Sequence, residues 1–156
     1  MKYPCSVIFA FFLCTIAIHD INAQEEHEPT PQDVLVKLVN DYYTINIKIF
    51  KANSTIKDID EIFELFTDDF VYIHPKYGGT YTRQELYDGY VRNQKKGGYD
   101  GSVIDIKVIN MITGLDAIVT EKKFINKTDT GTKEGDAQMA LFEFKSGKIS
   151  KIFEYW

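Results

Sequence analysis

One imidazole, His74, and one carboxylate near the C-terminus, Glu154, are the groups in this 156-residue chain whose placement suggests chemistry. His74 sits in the octapeptide DDFVYIHP, residues 68–75, immediately before Pro75. An imidazole changes charge near neutral pH, which suits a general acid or base. Strand alternation puts Phe70, Tyr72 and His74 on one face and Val71 and Ile73 on the other. The competing role for His74 is that of a rim residue that hydrogen-bonds a neighbour and does no chemistry. The final segment, KISKIFEYW, alternates in the same way, so Glu154 and Trp156 share a face and Tyr155 takes the other.

Other chemistries find few residues to work with. Cys5, Cys14 and His19 all lie within the first 23 residues, and His27 lies in a polar stretch, QEEHEPTP. The folded region is left with no thiol, no disulfide and one histidine, which argues against a structural zinc site. No metal or cofactor is expected. Asp68 and Asp69 fall at a helix-to-strand junction, where aspartates usually serve turns and caps.

Lys2, the 12-residue apolar run Val7–Ile18 and Ala23 read as a secretory signal peptide, residues 1–23, cut after Ala23. The run is short of the roughly 20 residues that a membrane-spanning helix needs. Phe11-Phe12-Leu13 lacks the small residues expected before a lipidated Cys14. The expected product is exported, periplasmic or secreted, with a polar tail over 24–30, one domain over 31–156, and no membrane contact after cleavage. Loss of Lys2 and Asp20 leaves the net charge at −5. An acidic domain whose one basic cluster is the short RNQKK at residues 92–96 makes a poor nucleic-acid binder.

The elements that must position these groups can be read from periodicity. Thr30-Pro31-Gln32-Asp33 opens a helix with a cap, a proline at the first position and an early acid. Its apolar stripe runs Val34, Leu35, Leu38, Val39, Tyr42, Ile45 and Ile49. Thr55 with Asp58 caps a second helix carrying Ile59, Ile62, Phe63 and Phe66, and Thr82-Arg83-Gln84-Glu85 is a capping box for a third. Phe70 to His74 reads as a strand. From Ser102 the pattern turns to strands: Val103–Ile112, Ala117–Asn126, Asp136–Phe144 and Lys148–Trp156, with a polar loop over 127–133. Three N-terminal helices followed by a mostly antiparallel sheet make an α+β domain. Asn53 and Asn126 begin N-glycosylation sequons, relevant only in a glycosylating host.

This order of elements, together with IFELFTDDF (residues 62–70), His74-Pro75, the segment Gly79–Glu85 and the closing ALFEF…GKI…EYW, resembles the nuclear transport factor 2-like superfamily, in particular its SnoaL-like and steroid-isomerase-like members. The resemblance covers residues 31–156. It implies a cone-shaped α+β barrel, in which a strongly bent sheet wraps the helices around a pocket, and a homodimer formed through the outer sheet face. In that family the residue before the proline of the first strand is the general acid or base, which places the role on His74. A tyrosine of the first helix, Tyr42 or Tyr43, would donate to an oxyanion. The second donor is an aspartate in the isomerases, and its position here is Ala140, which argues against a strict steroid isomerase. Tyr90 and Trp156 match pocket aromatics, and Trp156 would bring Glu154 with it. A pocket lined by Tyr42 or Tyr43, Tyr72, His74, Tyr90, Gln138, Ala140, Phe142, Glu154 and Trp156 follows, with Glu154 raising the imidazole pKa. In the alternative, Glu154 reaches solvent and pairs with a lysine such as Lys151. Aromatic residues make up 14% of the chain, which suits a hydrophobic small molecule. The resemblance implies cofactor-independent proton transfer, cyclisation or hydration of an apolar carbonyl compound, or else a binding or assembly module without catalysis.

Overall fold

The computed structural model describes residues 31–155, so the signal peptide over 1–23, the tail over 24–30 and Trp156 lie outside the described residues. Helix α1 spans Pro31–Phe50, α2 Ile56–Phe63 and α3 Arg83–Lys95. The strands are β1 Phe66–His74, β2 Gly79–Thr82, β3 Val103–Thr113, β4 Ala117–Thr128, β5 Gly131–Glu134, β6 Gln138–Lys145 and β7 Lys148–Tyr155.

Local chemistry sets the helix starts. Thr55 N–H and its hydroxyl both donate to Asp58 Oδ2, at 2.7 and 2.9 Å. Thr82 and Glu85 form the matching box at α3, with Thr82 N–H donating to Glu85 Oε2 at 2.8 Å. Each box satisfies backbone donors that a helix start leaves without partners. Among the described residues no helix is long and apolar enough to cross a membrane.

The seven strands form one sheet in the order β2-β1-β7-β6-β4-β3, with β5 added to β4. Every pairing is antiparallel except β1 with β7. Register shifts interrupt the β1–β7, β3–β4 and β6–β7 ladders, and such bulges bend a sheet. The concave side closes over α1, α2 and α3, and Val39, Ile49, Ile59, Ile62, Phe142 and Ile152 there are fully buried. Each side chain of this size contributes about 1.5–3 kcal/mol by leaving water. The architecture is the α+β cone that the sequence predicts.

Two segments take a different type of structure from the one the sequence suggests. Phe66 fits the helical spacing of Ile59, Ile62 and Phe63, yet α2 ends at Phe63 and Phe66 starts β1. Strand pairing overrides the local preference: Ile149 N–H donates to Leu65 O at 2.9 Å, and Phe66 stacks on Phe70 with ring centroids 4.0 Å apart. Asp68 and Asp69 bulge outward in between, and Asp69 meets Lys145 at 2.6 Å. The polar segment over 127–133 is not all loop, because Gly131–Glu134 folds back as β5 on β4.

Candidate functional site: a buried ion pair in an aromatic chamber

Strand β4 turns Ile118, Thr120 and Lys122 inward, none more than 3% exposed. Strand β7 turns Ile152 and Glu154 inward, and Glu154 is likewise 3% exposed. Between them runs β6, where Ala140 stands opposite Thr120 on one side and Glu154 on the other. The side chain of Ala140 ends at Cβ, so Lys122 reaches over β6 and sets its Nζ 3.0 Å from both oxygens of Glu154. The ammonium also lies 5.5 Å from the centroid of the Tyr43 ring and 5.1 Å from that of Phe124. Enclosing two opposite charges costs desolvation that their attraction only partly returns, so a buried pair is weak as a stability device.

The pair lines a chamber of about 230 Å³. Helix α1 contributes Tyr42, Tyr43, Asn46 and Phe50, β1 contributes Tyr72 and α3 contributes Tyr90. Tyr43 and Thr120 share a hydroxyl hydrogen bond of 2.6 Å. Tyr90 donates to Asn46 Oδ1 at 3.2 Å, and Asn46 Nδ2 donates to the Tyr42 carbonyl at 3.1 Å. Burial pushes the phenol pKa of Tyr42, Tyr43, Tyr72 and Tyr90 upward, and the negative charge of Glu154 adds to the rise at all four. These hydroxyls stay protonated at neutral pH and serve as donors.

A second, outer cleft of about 710 Å³ lies between α3 and the β1–β2 hairpin. His74, Tyr77, Tyr81 and Tyr99 belong to its wall, whereas Tyr72 and Tyr90 belong to both cavities. His74 is 2% exposed, with its ring centroid 4.4 Å from that of Tyr77 and 6.1 Å from that of Tyr72. Burial pushes the imidazole pKa below its ordinary 6.5. Glu154 pulls in the expected upward direction but loses, since burial dominates and the Lys122 charge pushes downward too.

The site drawn from the sequence is thus divided. Tyr42 and Tyr43 both face the chamber, with Glu154, Tyr72 and Tyr90 beside them. His74 faces the outer cleft. Ala140 and Phe142 line neither cavity: the ion pair spans Ala140, and the ring of Phe142 packs against Tyr42 and Tyr43 at 5.3 and 5.7 Å between centroids. Gln138, half-buried at the start of β6, is also on neither wall, and Trp156 lies outside the described residues. Glu154 does not reach solvent, and Lys151 pairs instead with Glu143 at 2.7 Å. The sequence reading passed over Asn46, Phe50, Ile106, Lys122 and Phe124 of the chamber wall. Period-two counting from Ile118 through Thr120 puts Lys122 on the inner face, and that was the available signal.

A bent sheet wrapped round three helices has counterparts among solved structures. An LEH-like epoxide hydrolase from M. tuberculosis superposes with a TM-score of 0.57 at 16% identity, covering 81% of this chain and 84% of that one. The chain has the nuclear transport factor 2-like cone fold. The same cone occurs in a nuclear transport factor 2-like protein from Anabaena variabilis, with a TM-score of 0.56, 12% identity and coverage of 83% and 93%. It occurs again in a protein with a ketosteroid isomerase-like fold from Catenulispora acidiphila in complex with trimethylamine, with a TM-score of 0.54, 13% identity and coverage of 77% and 85%. No family model matches the sequence, and no curated protein matches it. At these identities the likeness establishes the cone and leaves its chemistry to the residues inside.

Proposed function

We propose that the domain holds a small apolar carbonyl compound in the cone and moves protons on it without a cofactor. The observation that carries this reading is the Lys122–Glu154 pair, two almost fully buried charges that line a cavity instead of filling the core. A buried ionisable pair on a cavity wall is a candidate functional site. Glu154 is the proton acceptor, and Lys122 supplies the positive charge that Ala140 cannot. Tyr42, Tyr43, Tyr72 and Tyr90 give the ligand apolar ring faces, and Tyr42 or Tyr43 donates a hydrogen bond to it. His74 is the base available to whatever occupies the outer cleft, one wall away behind Tyr72. The chamber is smaller than the roughly 300–1,000 Å³ of sites for drug-sized ligands, so a single ring is the natural occupant.

The test is proton exchange. Acetophenone incubated with the protein in deuterium oxide should lose its methyl signal by NMR, and Glu154→Gln should slow that loss by about 10²-fold or more. Exchange no faster than in buffer removes the catalytic reading. A non-catalytic binding module is the second reading, favoured by the hold of Lys122 on both carboxylate oxygens. Saturable binding of acetophenone without exchange would support it.

Two further proposals rest on other parts of the chain. Residues 1–23 support export. The outward row Ile73, Phe153, Leu141, Val119 and Ile112 crosses five paired strands, with Met139 and Tyr155 exposed beside it. That face supports a homodimer, checked by the sedimentation mass of the wild type against Phe153→Lys.

A further inference from the structure

The chamber wall carries a primary amine, shielded from water, whose hydrogen-bond partner is a carboxylate and which two aromatic rings flank. We propose that Lys122 is a covalent nucleophile that forms an imine with the carbonyl ligand, Glu154 serving as its proton shuttle. The inference rests on the reading that the chamber binds a carbonyl compound, and it assigns the chemical step.

Three observations support it. Lys122 and its partner Glu154 both line the chamber, so the amine and carboxylate sit beside the space where a ligand would bind. Its two 3.0 Å contacts to Glu154 provide the path by which the ammonium sheds a proton. The rings of Tyr43 and Phe124 flank the nitrogen and exclude bulk water, which would otherwise return the imine to the free carbonyl. Lysines desolvated in an apolar pocket are the ones that form Schiff bases. A lysine that served only as a counter-charge would gain nothing from facing a cavity. An arginine, with a charge that cannot be removed, would pair better with both carboxylate oxygens.

The step balances with groups already present. A proton passes from the Lys122 ammonium to Glu154, leaving a neutral amine and a carboxylic acid. The amine lone pair forms a C–N bond to the carbonyl carbon, and the C=O π pair moves to oxygen. A proton moves from nitrogen to that oxygen, giving a neutral carbinolamine. Glu154 then protonates the hydroxyl, water departs, and the nitrogen lone pair forms the C=N bond. The product is a protonated imine on Lys122 paired with the Glu154 carboxylate, so the site's charge is unchanged and one water is released. No oxidant or reductant is needed. The iminium accepts electrons from an adjacent C–H bond far better than a neutral carbonyl does, and so makes the proton transfer easier.

The experiment is reductive trapping. The purified protein is incubated with benzaldehyde and sodium cyanoborohydride near neutral pH, and the benzylated lysines are mapped by peptide mass spectrometry. The expected result is one dominant site, Lys122, labelled on the order of 100-fold faster than any exposed lysine, the low end of what a positioned proton-transfer group supplies. Lys122→Arg keeps a cation beside Glu154 and should abolish this fast phase while leaving the slow labelling of other lysines intact. Benzyl alcohol, which fits the same space and cannot form an imine, is titrated in parallel by NMR. If benzyl alcohol perturbs the chamber tyrosines but Lys122 is trapped no faster than surface lysines, the covalent step is wrong and the binding site stands. If neither compound engages the chamber, both readings fall.

Discussion

Ala140 stands directly opposite Glu154 on the β6–β7 ladder, and the space above its Cβ is the space that the Lys122 side chain crosses. The same position that denies the cone one type of donor admits another, longer one from the next strand. Substitution here therefore tests the bridge without touching either charge. Ala140→Leu should cut unfolding free energy by about 3–5 kcal/mol for a buried charge that loses its partner, plus about 1–3 kcal/mol for overpacking. Ala140→Gly keeps the passage open and should cost only about 0.5–1 kcal/mol. Urea denaturation of the two variants separates these outcomes, and equal losses would mean that the bridge does not depend on the alanine.

Removing the charges one at a time and then together gives a second measurement. Lys122→Met leaves an isolated carboxylate in the chamber and should cost about 3–5 kcal/mol. The double variant Lys122→Met/Glu154→Leu replaces the pair by apolar groups of similar volume and should recover most of that loss, with a coupling energy well above 1 kcal/mol. Its melting temperature should approach or exceed that of the wild type while binding of acetophenone disappears. A double variant that binds as well as the wild type would show that the pair serves the fold alone.

Lys122 explains why the cone was legible in the sequence and the site was not. The capping pairs Thr55–Asp58 and Thr82–Glu85 act within three residues, so they are visible in any window, and both are formed. The spacing of Val39, Tyr42, Ile45 and Ile49 is likewise local, and all four are buried. Lys122 lies in the run Glu121-Lys122-Lys123, which resembles a solvated strand, and its meaning depends on Ala140 and Glu154, 18 and 32 residues further on. Long-range pairing also decided Phe66, which has helical spacing but a strand partner across the sheet. The two-cavity division, finally, depends on where Tyr72 and Tyr90 point, and no periodicity carries that.

His74 sets an expected pH dependence of stability. Its pKa in the folded chain lies below the ordinary 6.5 because burial disfavours the imidazolium. Above about pH 6.5 the group is neutral in both states and its burial costs nothing. As pH falls through that value the unfolded chain binds a proton that the folded chain resists, so stability drops until the folded pKa is passed. The melting temperature should therefore fall between about pH 7 and pH 5, and His74→Gln should flatten that slope. A wild-type curve as flat as the variant's would mean that the imidazole ionises as easily folded as unfolded.

Tyr90 and Tyr72 line both the chamber and the outer cleft, so trimming one should change which ligands fit. Tyr90→Phe keeps the ring and removes its hydrogen bond to Asn46, at a cost of about 1–3 kcal/mol for the oxygen left behind. It should leave the preference among ligands unchanged. Tyr90→Ala joins the two spaces at a packing cost of about 3–5 kcal/mol, and binding is best measured well below the lowered melting temperature. The ratio of affinities for 2-naphthol and benzyl alcohol should then shift toward the larger compound by about tenfold, equivalent to burying roughly two more methylene-sized groups at 0.8 kcal/mol each. An unchanged ratio in Tyr90→Ala would mean that ligands reach Lys122 and Glu154 by some route other than the tyrosine-lined cleft.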